Sequence, residues 1–338
     1  MLKIQDEGII LETTSLEFEN KAVCNPACIQ TKDITHMFYR AVNSYNISTI
    51  GYCQLKNNHV VERFTKPVLF PEFDYEKNGV EDPRITFLDG IYYLLYTAFD
   101  GKNARIAYAT SSDLSNFVKQ GLISPSITYT AASEIMYRKR LKEEYFISQL
   151  HLEAEVKGLN FLWEKDALLF PKKINNQFAL MHRIRPDMQI IYFQKFKDLT
   201  ADYWRAYLSN LKEYIVLGPK FSFENPYIGG GCPPIETEDG WLIIYHAVET
   251  TPLGKIYHAC AALLDLKNPL KVVGRLAEPL FSPKTVWEKI GVVNNVVFPT
   301  GAVVIDGRLH IYYGAADKLI AAKSVNLTDL LTELKNTT

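Results

Sequence analysis

No stretch of this 338-residue sequence is long and apolar enough to span a membrane. Its start, MLKIQDEGIILETT, has neither the basic nor the apolar region of a signal peptide. Neither sign of charge is in excess. The formal net charge of −1 gives no electrostatic case for nucleic acid or an anionic membrane as a partner. Cysteine is scarce: Cys24, Cys28, Cys53, Cys232 and Cys260 are odd in number and scattered. Cys24 and Cys28 have the spacing of a metal pair, but no second Cys/His pair accompanies them, so no metal site and no disulfide framework is expected. Reduced thiols point to a cytoplasmic protein, in which the sequons at Asn46 and Asn326 carry no meaning. Long helical periodicity is also scarce.

What the chain has in quantity is aromatic residues, 20 Tyr and 18 Phe, in short strand-like runs separated by turn residues. One pattern recurs. An apolar strand ends in aromatic or histidine residues at His36–Arg40, Tyr92–Tyr96, Phe178–Arg183, Trp241–His246 and Leu309–Tyr313. Marker positions are Tyr39, Tyr96, His182, Tyr245 and Tyr312. A second strand with small residues follows, as in Arg105–Ala109, Tyr257–Ala262 and Leu319–Lys323. Three units then reach an Asp-Leu ending, at Asp113-Leu114, Asp198-Leu199 and Asp265-Leu266. Five such units predict an all-β chain, a five-bladed β-propeller formed by residues 1–338 as one domain. A pair of β-sandwiches is the competing architecture. The longest interval holds an insertion at about 121–165, whose charged run Arg138–Glu144 reads as a solvated hairpin or loop. Short helices are expected around Tyr203–Tyr214 and at the C-terminus, Leu327–Leu334.

The polar residues follow the repeat. Arg40, Arg183 and His246 come directly after the marker position in three units, and the fifth unit ends in Gly314-Ala315-Ala316-Asp317. In the second unit, Asn78-Gly79 opens a stretch that sets Glu81-Asp82 before Pro83 and Arg84. Proline disfavours helix in the residue before it, which predicts Asp82 on a stiff, extended loop ahead of a strand. Equivalent positions in a radial array converge, so Asp82 is expected to share a pocket with Arg40, Arg183, His246 and Asp317. Cations beside carboxylates suit an anion next to a hydroxyl-rich ligand. Taken singly, each has a plainer reading: Asp82 as a turn cap, His182 or His246 as a satisfied core histidine, Arg183 as a structural ion pair. Gly229-Gly230-Gly231 allows close backbone approach to a ligand, and Pro233-Pro234 stiffens the exit.

With these residues in place, the chain resembles glycoside hydrolase family 130, the inverting β-mannoside phosphorylases and related β-mannosidases. The resemblance runs from about Asn25-Pro26 to Lys323. It is carried by Gly79–Ile85, Lys165-Asp166-Ala167 with Phe170-Pro171, His182-Arg183, Gly229–Ile235, Gly240-Trp241-Leu242 with Tyr245-His246, Phe298–Gly301 and Tyr312–Asp317. It implies a five-bladed propeller and a general acid at Asp82. It implies a mannosyl site at Asn25, Arg40 and Asp317, and inorganic phosphate held by Lys165, Arg183, His246 and Tyr257. The partners it implies are a β-mannoside oligosaccharide and phosphate as co-substrate, with no other cofactor; an oligomer is possible, and the sequence does not give its state. An inverting enzyme needs one acid and a nucleophile on the opposite face of the sugar, and phosphate itself fills the second role in a phosphorylase. The chain departs from the family at Tyr227, where its phosphorylases carry lysine. That departure brings in a hydrolytic alternative, a β-mannosidase with Glu224 as base. A non-catalytic sugar-binding propeller is the alternative from another class.

Overall fold

The computed structural model describes residues 2–155 and 161–337. Strand β1 (Gln5–Leu11) is followed by β2 (Ala22–Thr31), β3 (Ile34–Val42), β4 (Ser48–Lys56) and β5 (His59–Arg63). Next come β6 (Gly79–Leu88), β7 (Ile91–Phe99), β8 (Ala104–Ser111) and β9 (Val118–Leu122). Strands β2 to β9 form one hydrogen-bonded sheet, but its middle link is a single parallel pair, Ser48–Gly79. On either side lie two antiparallel sets of four. A third set is β10 (Lys165–Leu169), β11 (Phe178–Ile184), β12 (Asp187–Phe193) and β13 (Ile215–Leu217). The fourth is β14 (Pro226–Gly230), β15 (Ile235–Thr237), β16 (Gly240–Thr251), β17 (Gly254–Leu264) and β18 (Val272–Arg275), with β15 paired only to β16. The last contains β19 (Val297–Ile305), β20 (Arg308–Ala315) and β21 (Leu319–Asn326), and β1 pairs with β21 to complete it.

Local sequence explains the hairpins. Asn57-Asn58, Asp89-Gly90, Asn175-Asn176 and Asp306-Gly307 all have positive φ at both residues. Two-residue turns of that kind match the right-handed twist of the strands they join. The Asp-Leu endings are turns as well: Asp113 accepts from the amides of Ser115 and Asn116, and Asp265 from those of Lys267 and Asn268. The apolar residues alternate between faces and pack consecutive sets together. Ala27, Phe38 and Ile50 meet Val80, Ile85 and Leu94. Leu95 and Ile106 meet Leu169 and Leu180, whereas Leu168 and Met181 face Ile228 and Ile243 on the other side. Leu242 and Ile244 pack on Val297 and Ile311, and Val303 and Ile320 return to Val23 and Met37. The five clusters therefore run in sequence, and the last returns to the first set.

The insertion differs from the loop expected. It forms two helices, α1 (Tyr129–Arg138) and α2 (Glu143–Glu155), and the charged run spans the end of α1, the turn and the start of α2. Thr128 caps α1, and Ala132 and Met136 bury one face against α3 (Ala201–Ser209) through Trp204 and Leu208. A 3.6-residue spacing of a few apolar positions among charges is a weak signal, which is why the sequence read as a loop. The stretch 156–160 of the insertion lies outside the described residues. A four-residue helix, α4 (Val286–Lys289), precedes β19, and α5 (Leu327–Asn336) lies where the C-terminal helix was expected.

Each set is pinned by a fully buried glutamate: Glu19, Glu76, Glu164, Glu224 and Glu288. Four of them accept the hydroxyl of a central-strand tyrosine. Tyr39 donates to Glu19 at 2.7 Å, Tyr96 to Glu76 at 3.1 Å, Tyr245 to Glu224 at 2.8 Å and Tyr313 to Glu288 at 2.6 Å. The same four pair with a cation: Arg63, Lys119 and Arg275 from the outermost strands β5, β9 and β18, and Lys323 from β21, which lies between β1 and β20. In the third set His182 replaces the tyrosine, with Nδ1 2.7 Å from Glu164 and Nε2 2.7 Å from the Tyr207 hydroxyl. This corrects the repeat by one residue: the fifth marker is Tyr313, and Tyr312 bonds Asn58 instead. Removing one member of a buried ion pair strands the other. Glu224→Ala is therefore expected to lower unfolding free energy by about 3–5 kcal/mol, read by urea denaturation. A loss below about 1 kcal/mol would show the pin to be dispensable.

Candidate active site

Four first strands carry a register slip against their neighbours: β2 between Cys24 and Ala27, β6 between Glu81 and Arg84, β10 between Lys165 and Leu168, and β19 between Pro299 and Gly301. A bulge re-aims the side chain it carries. Asn25, Asp82 and Asp166 sit in three of these slips at φ of 50°, 50° and 59°, and Asp317, in the turn after β20, is at 51°. Asparagine and aspartate tolerate this left-handed region better than other side-chain-bearing residues. Asp82 thus lies inside β6 on a bulge, not on an extended loop before a strand. Proline at 83 limits the preceding residue but does not exclude a left-handed backbone.

All eight residues expected to act, Asn25, Arg40, Asp82, Lys165, Arg183, His246, Tyr257 and Asp317, line one cavity. At one end Asn25 donates to Asp82 Oδ1 at 2.8 Å, and Arg40 stands 3.5 Å from the same oxygen. Arg40 is itself held by Ser48 at 2.9 Å and Glu81 at 2.6 Å. Burial works against charge on Asp82, but Arg40, Lys165, Arg84 and the Asn25 amide outweigh it and lower the pKa to about 2. Asp317 goes the other way. Burial, only partly offset by Arg40 and reinforced by the charges of Asp82 and Glu81, raises its pKa to about 6. One cavity therefore holds two carboxyl groups driven apart by their surroundings.

The other end is cationic. Lys165 lies 3.6 Å from Glu81 and over the Trp163 ring. Arg183 pairs with Asp166 at 2.7 Å and donates towards His246 Nε2 at 3.3 Å. Burial, together with Arg183 and Arg84 and against the pull of Asp166, lowers the His246 pKa to about 3, so the ring is neutral at pH 7. Its Nε2 accepts from Arg183, which leaves the proton on Nδ1. The ring packs on Phe298 and Tyr257. Tyr257 and Tyr227 hydroxyls are 3.1 Å apart, and Arg185 donates to Tyr227 at 3.1 Å.

Arg84 joins the first strands. It donates to the carbonyls of Asp82 and Pro83 at 3.0 Å each and to those of Gly230 and Gly231 on the fourth set. The glycine run is closely packed against the cavity's own residues. A Cβ at Gly229 would collide with His246, Asp166 and Arg183, and one at Gly231 with the carbonyls of Pro299 and Ile244. Glu224 is the clear correction. It is fully buried away from the cavity, and its carboxylate is taken up by Tyr245, Arg275 and the amides of Lys220 and Phe221. It has no free lone pair with which to activate water. His182, too, is a core residue. Sequence reading passed over Glu81, Asp166 and Arg185. The first two follow or precede a predicted site residue directly, which was the available signal.

Comparison with known proteins places the chain in a family. The family model for β-1,4-mannooligosaccharide phosphorylase, glycoside hydrolase family 130, matches residues 9–336. The chain belongs to that family. It is 33% identical to a 1,2-β-oligomannan phosphorylase of Thermoanaerobacter sp. (strain X514), over 97% of this chain and 98% of the relative. It is 35% identical to a β-1,2-mannobiose phosphorylase of the same organism, over 94% of each. The fold is similar to that of Listeria innocua β-1,2-mannobiose phosphorylase solved with β-1,2-mannobiose, at a TM-score of 0.74, 22% identity and coverage of 99% and 100%.

The field inside the cavity is open to measurement. Asp82 is one of the charges that raise Asp317. In Asp82→Asn, the Asp317 carboxyl, followed by carbon NMR, is expected to titrate below the wild-type value of about 6. An unchanged or higher value would mean that the two carboxyls do not sense each other.

Proposed function

We propose that this protein is an inverting phosphorylase of β-mannosides, with β-1,2-linked substrates as the preferred class. We propose further that residues 1–338 form a single five-bladed propeller whose axis carries the cavity. The five consecutive core clusters, closing from last set to first, support that architecture. The β-1,2 preference rests on the two Thermoanaerobacter relatives named above.

The observation that carries the reading is the division of one cavity into an acid-and-hydroxyl-binding end and a cationic end. The mannosyl unit sits against Asn25, Arg40 and Asp317. Asp82 supplies a proton to the departing glycosidic oxygen as the C1–O bond breaks. A phosphate oxygen attacks C1 from the opposite face, and a β-mannoside yields α-mannose 1-phosphate with a sugar shortened by one unit. Lys165 and Arg183 bind the phosphate as a point charge and a fork, Tyr257 adds a donor, and the neutral His246 ring packs beside them. In the unliganded protein Asp82 is ionised at neutral pH, so it gains its proton on binding. A dianion placed against Lys165 cancels part of the positive field that lowers the Asp82 pKa.

The hydrolytic reading has lost its base, since Glu224 is engaged elsewhere. Of the cavity's other carboxylates at the cationic end, Asp166 is committed to Arg183. With β-1,2-mannobiose, mannose 1-phosphate is expected to form only when phosphate is present. Asp82→Asn is expected to cut turnover by about 10²–10⁴-fold with the fold intact. Free mannose released at the same rate without phosphate would overturn the assignment.

A further inference from the structure

Tyr227 occupies the position where the family's phosphorylases place a lysine, yet the cationic end is not simply one charge short. Tyr227 on β14 and Tyr257 on β17 both stand opposite Val248 of β16, so they form one row across the sheet. Their hydroxyls meet at 3.1 Å. Arg185 follows β11 on the neighbouring set. Its Nη2 lies 3.1 Å from the Tyr227 hydroxyl, and its guanidinium carbon is 3.9 Å from the centre of the Tyr227 ring. The Arg183 guanidinium carbon is 5.2 Å from the same ring.

The chemistry of these groups gives the chain a direction. A guanidinium has no acceptor, so Arg185 must donate and the Tyr227 oxygen must accept. A phenol whose oxygen accepts from a cation is a stronger donor in turn. Tyr227 then gives its proton to the Tyr257 oxygen, which leaves the Tyr257 O–H to point at a ligand in the cavity both residues line. In the opposite order Tyr257 donates to Tyr227, and the hydroxyl left for an anion is that of Tyr227, which already accepts from Arg185; the two orders differ in which single variant the double variant matches. The two phenols differ in acidity: burial opposes it, but Arg185, Arg183 and the hydrogen bond with Tyr257 lower the Tyr227 pKa, whereas burial and Tyr227 raise that of Tyr257.

We infer that Arg185 and Tyr227 act as a hydrogen-bond relay that orients and polarises Tyr257 as a donor to bound phosphate, in place of a direct lysine contact. Tyr227 is thus a positioning residue for the anion and does not touch the sugar. This inference rests on the phosphorolytic reading above.

The test is a double-mutant cycle in the full-length protein with Tyr227→Phe, Tyr257→Phe and the double variant. Phenylalanine keeps each ring, and thermal unfolding checks that the variants stay folded. KM is measured separately for inorganic phosphate and for β-1,2-mannobiose. Losing a charge-assisted donor is worth about tenfold, so Tyr227→Phe should raise the phosphate KM by about that factor and move the mannobiose KM by less than about twofold. The double variant should match Tyr257→Phe alone, because one chain cannot be broken twice. An unchanged phosphate KM in Tyr227→Phe, parallel rises in both KM values, or effects that multiply in the double variant would each overturn the relay. Wild-type turnover indifferent to phosphate would instead remove the reading beneath it, and the relay with it.

Discussion

The structure depends on a carboxylate that has been taken out of water five times over. Each antiparallel set carries one glutamate with no exposed surface, fixed by a hydroxyl or imidazole from its central strand. Charges buried in this way are costly unless every lone pair finds a donor. Glu288 shows how far the donors go: burial opposes its charge, yet Tyr313, two backbone amides and Lys323 lower its pKa to about 2. The arrangement fixes the height and rotation of the central strand. Because strand side chains alternate, the next residue along points to the other face. That next residue is Arg40, Arg183 or His246 in the three sets that build the cavity's charged walls. The scaffold's buried acids thus set the positions of the arginines and the histidine that line the cavity.

Within the cavity the same physics is used for chemistry. Positive neighbours hold Asp82 ionised, negative neighbours and burial hold Asp317 partly protonated, and burial keeps His246 neutral. The left-handed backbone at Asn25, Asp82, Asp166 and Asp317 is strained for side-chain-bearing residues, and four such positions in one cavity, three on bulges and one in a turn, mark them as built for aim. Arg84 ties the bulge of β6 to the glycine run of β14, so the acid and the cationic end are joined by backbone contacts. The site is stiff where bond-making needs a fixed distance.

Much of this was legible in the sequence because it repeats. The aromatic strand, the small-residue strand and the turn recur with enough regularity to expose five units and the residues after each marker. The buried glutamates were legible too, but were not read. They precede their tyrosines by 20, 20, 21 and 25 residues, a spacing a repeat search finds only once it is told to look for acids. Glu224 was misread because a carboxylate near a missing lysine suggests chemistry, whereas its partner Arg275 lies 51 residues away and only folding joins them. The helices of the insertion were missed because their amphipathic pattern is short and broken by charges. Arg185 was passed over because it lies beyond the repeat's register, and its use depends on a tyrosine from another set.

The account turns on the claim that the cationic end seats phosphate on the face of the mannosyl unit opposite Asp82. A crystal structure with mannose and inorganic phosphate bound together measures this directly. The account predicts phosphate oxygens within hydrogen-bond distance of Lys165, Arg183 and Tyr257, beside the His246 ring. It also predicts mannose held by Asn25, Arg40 and Asp317, with C1 between the phosphate and Asp82. A mannose-filled cavity with phosphate absent from that end at saturating concentration, or phosphate bound on the Asp82 side, would contradict it.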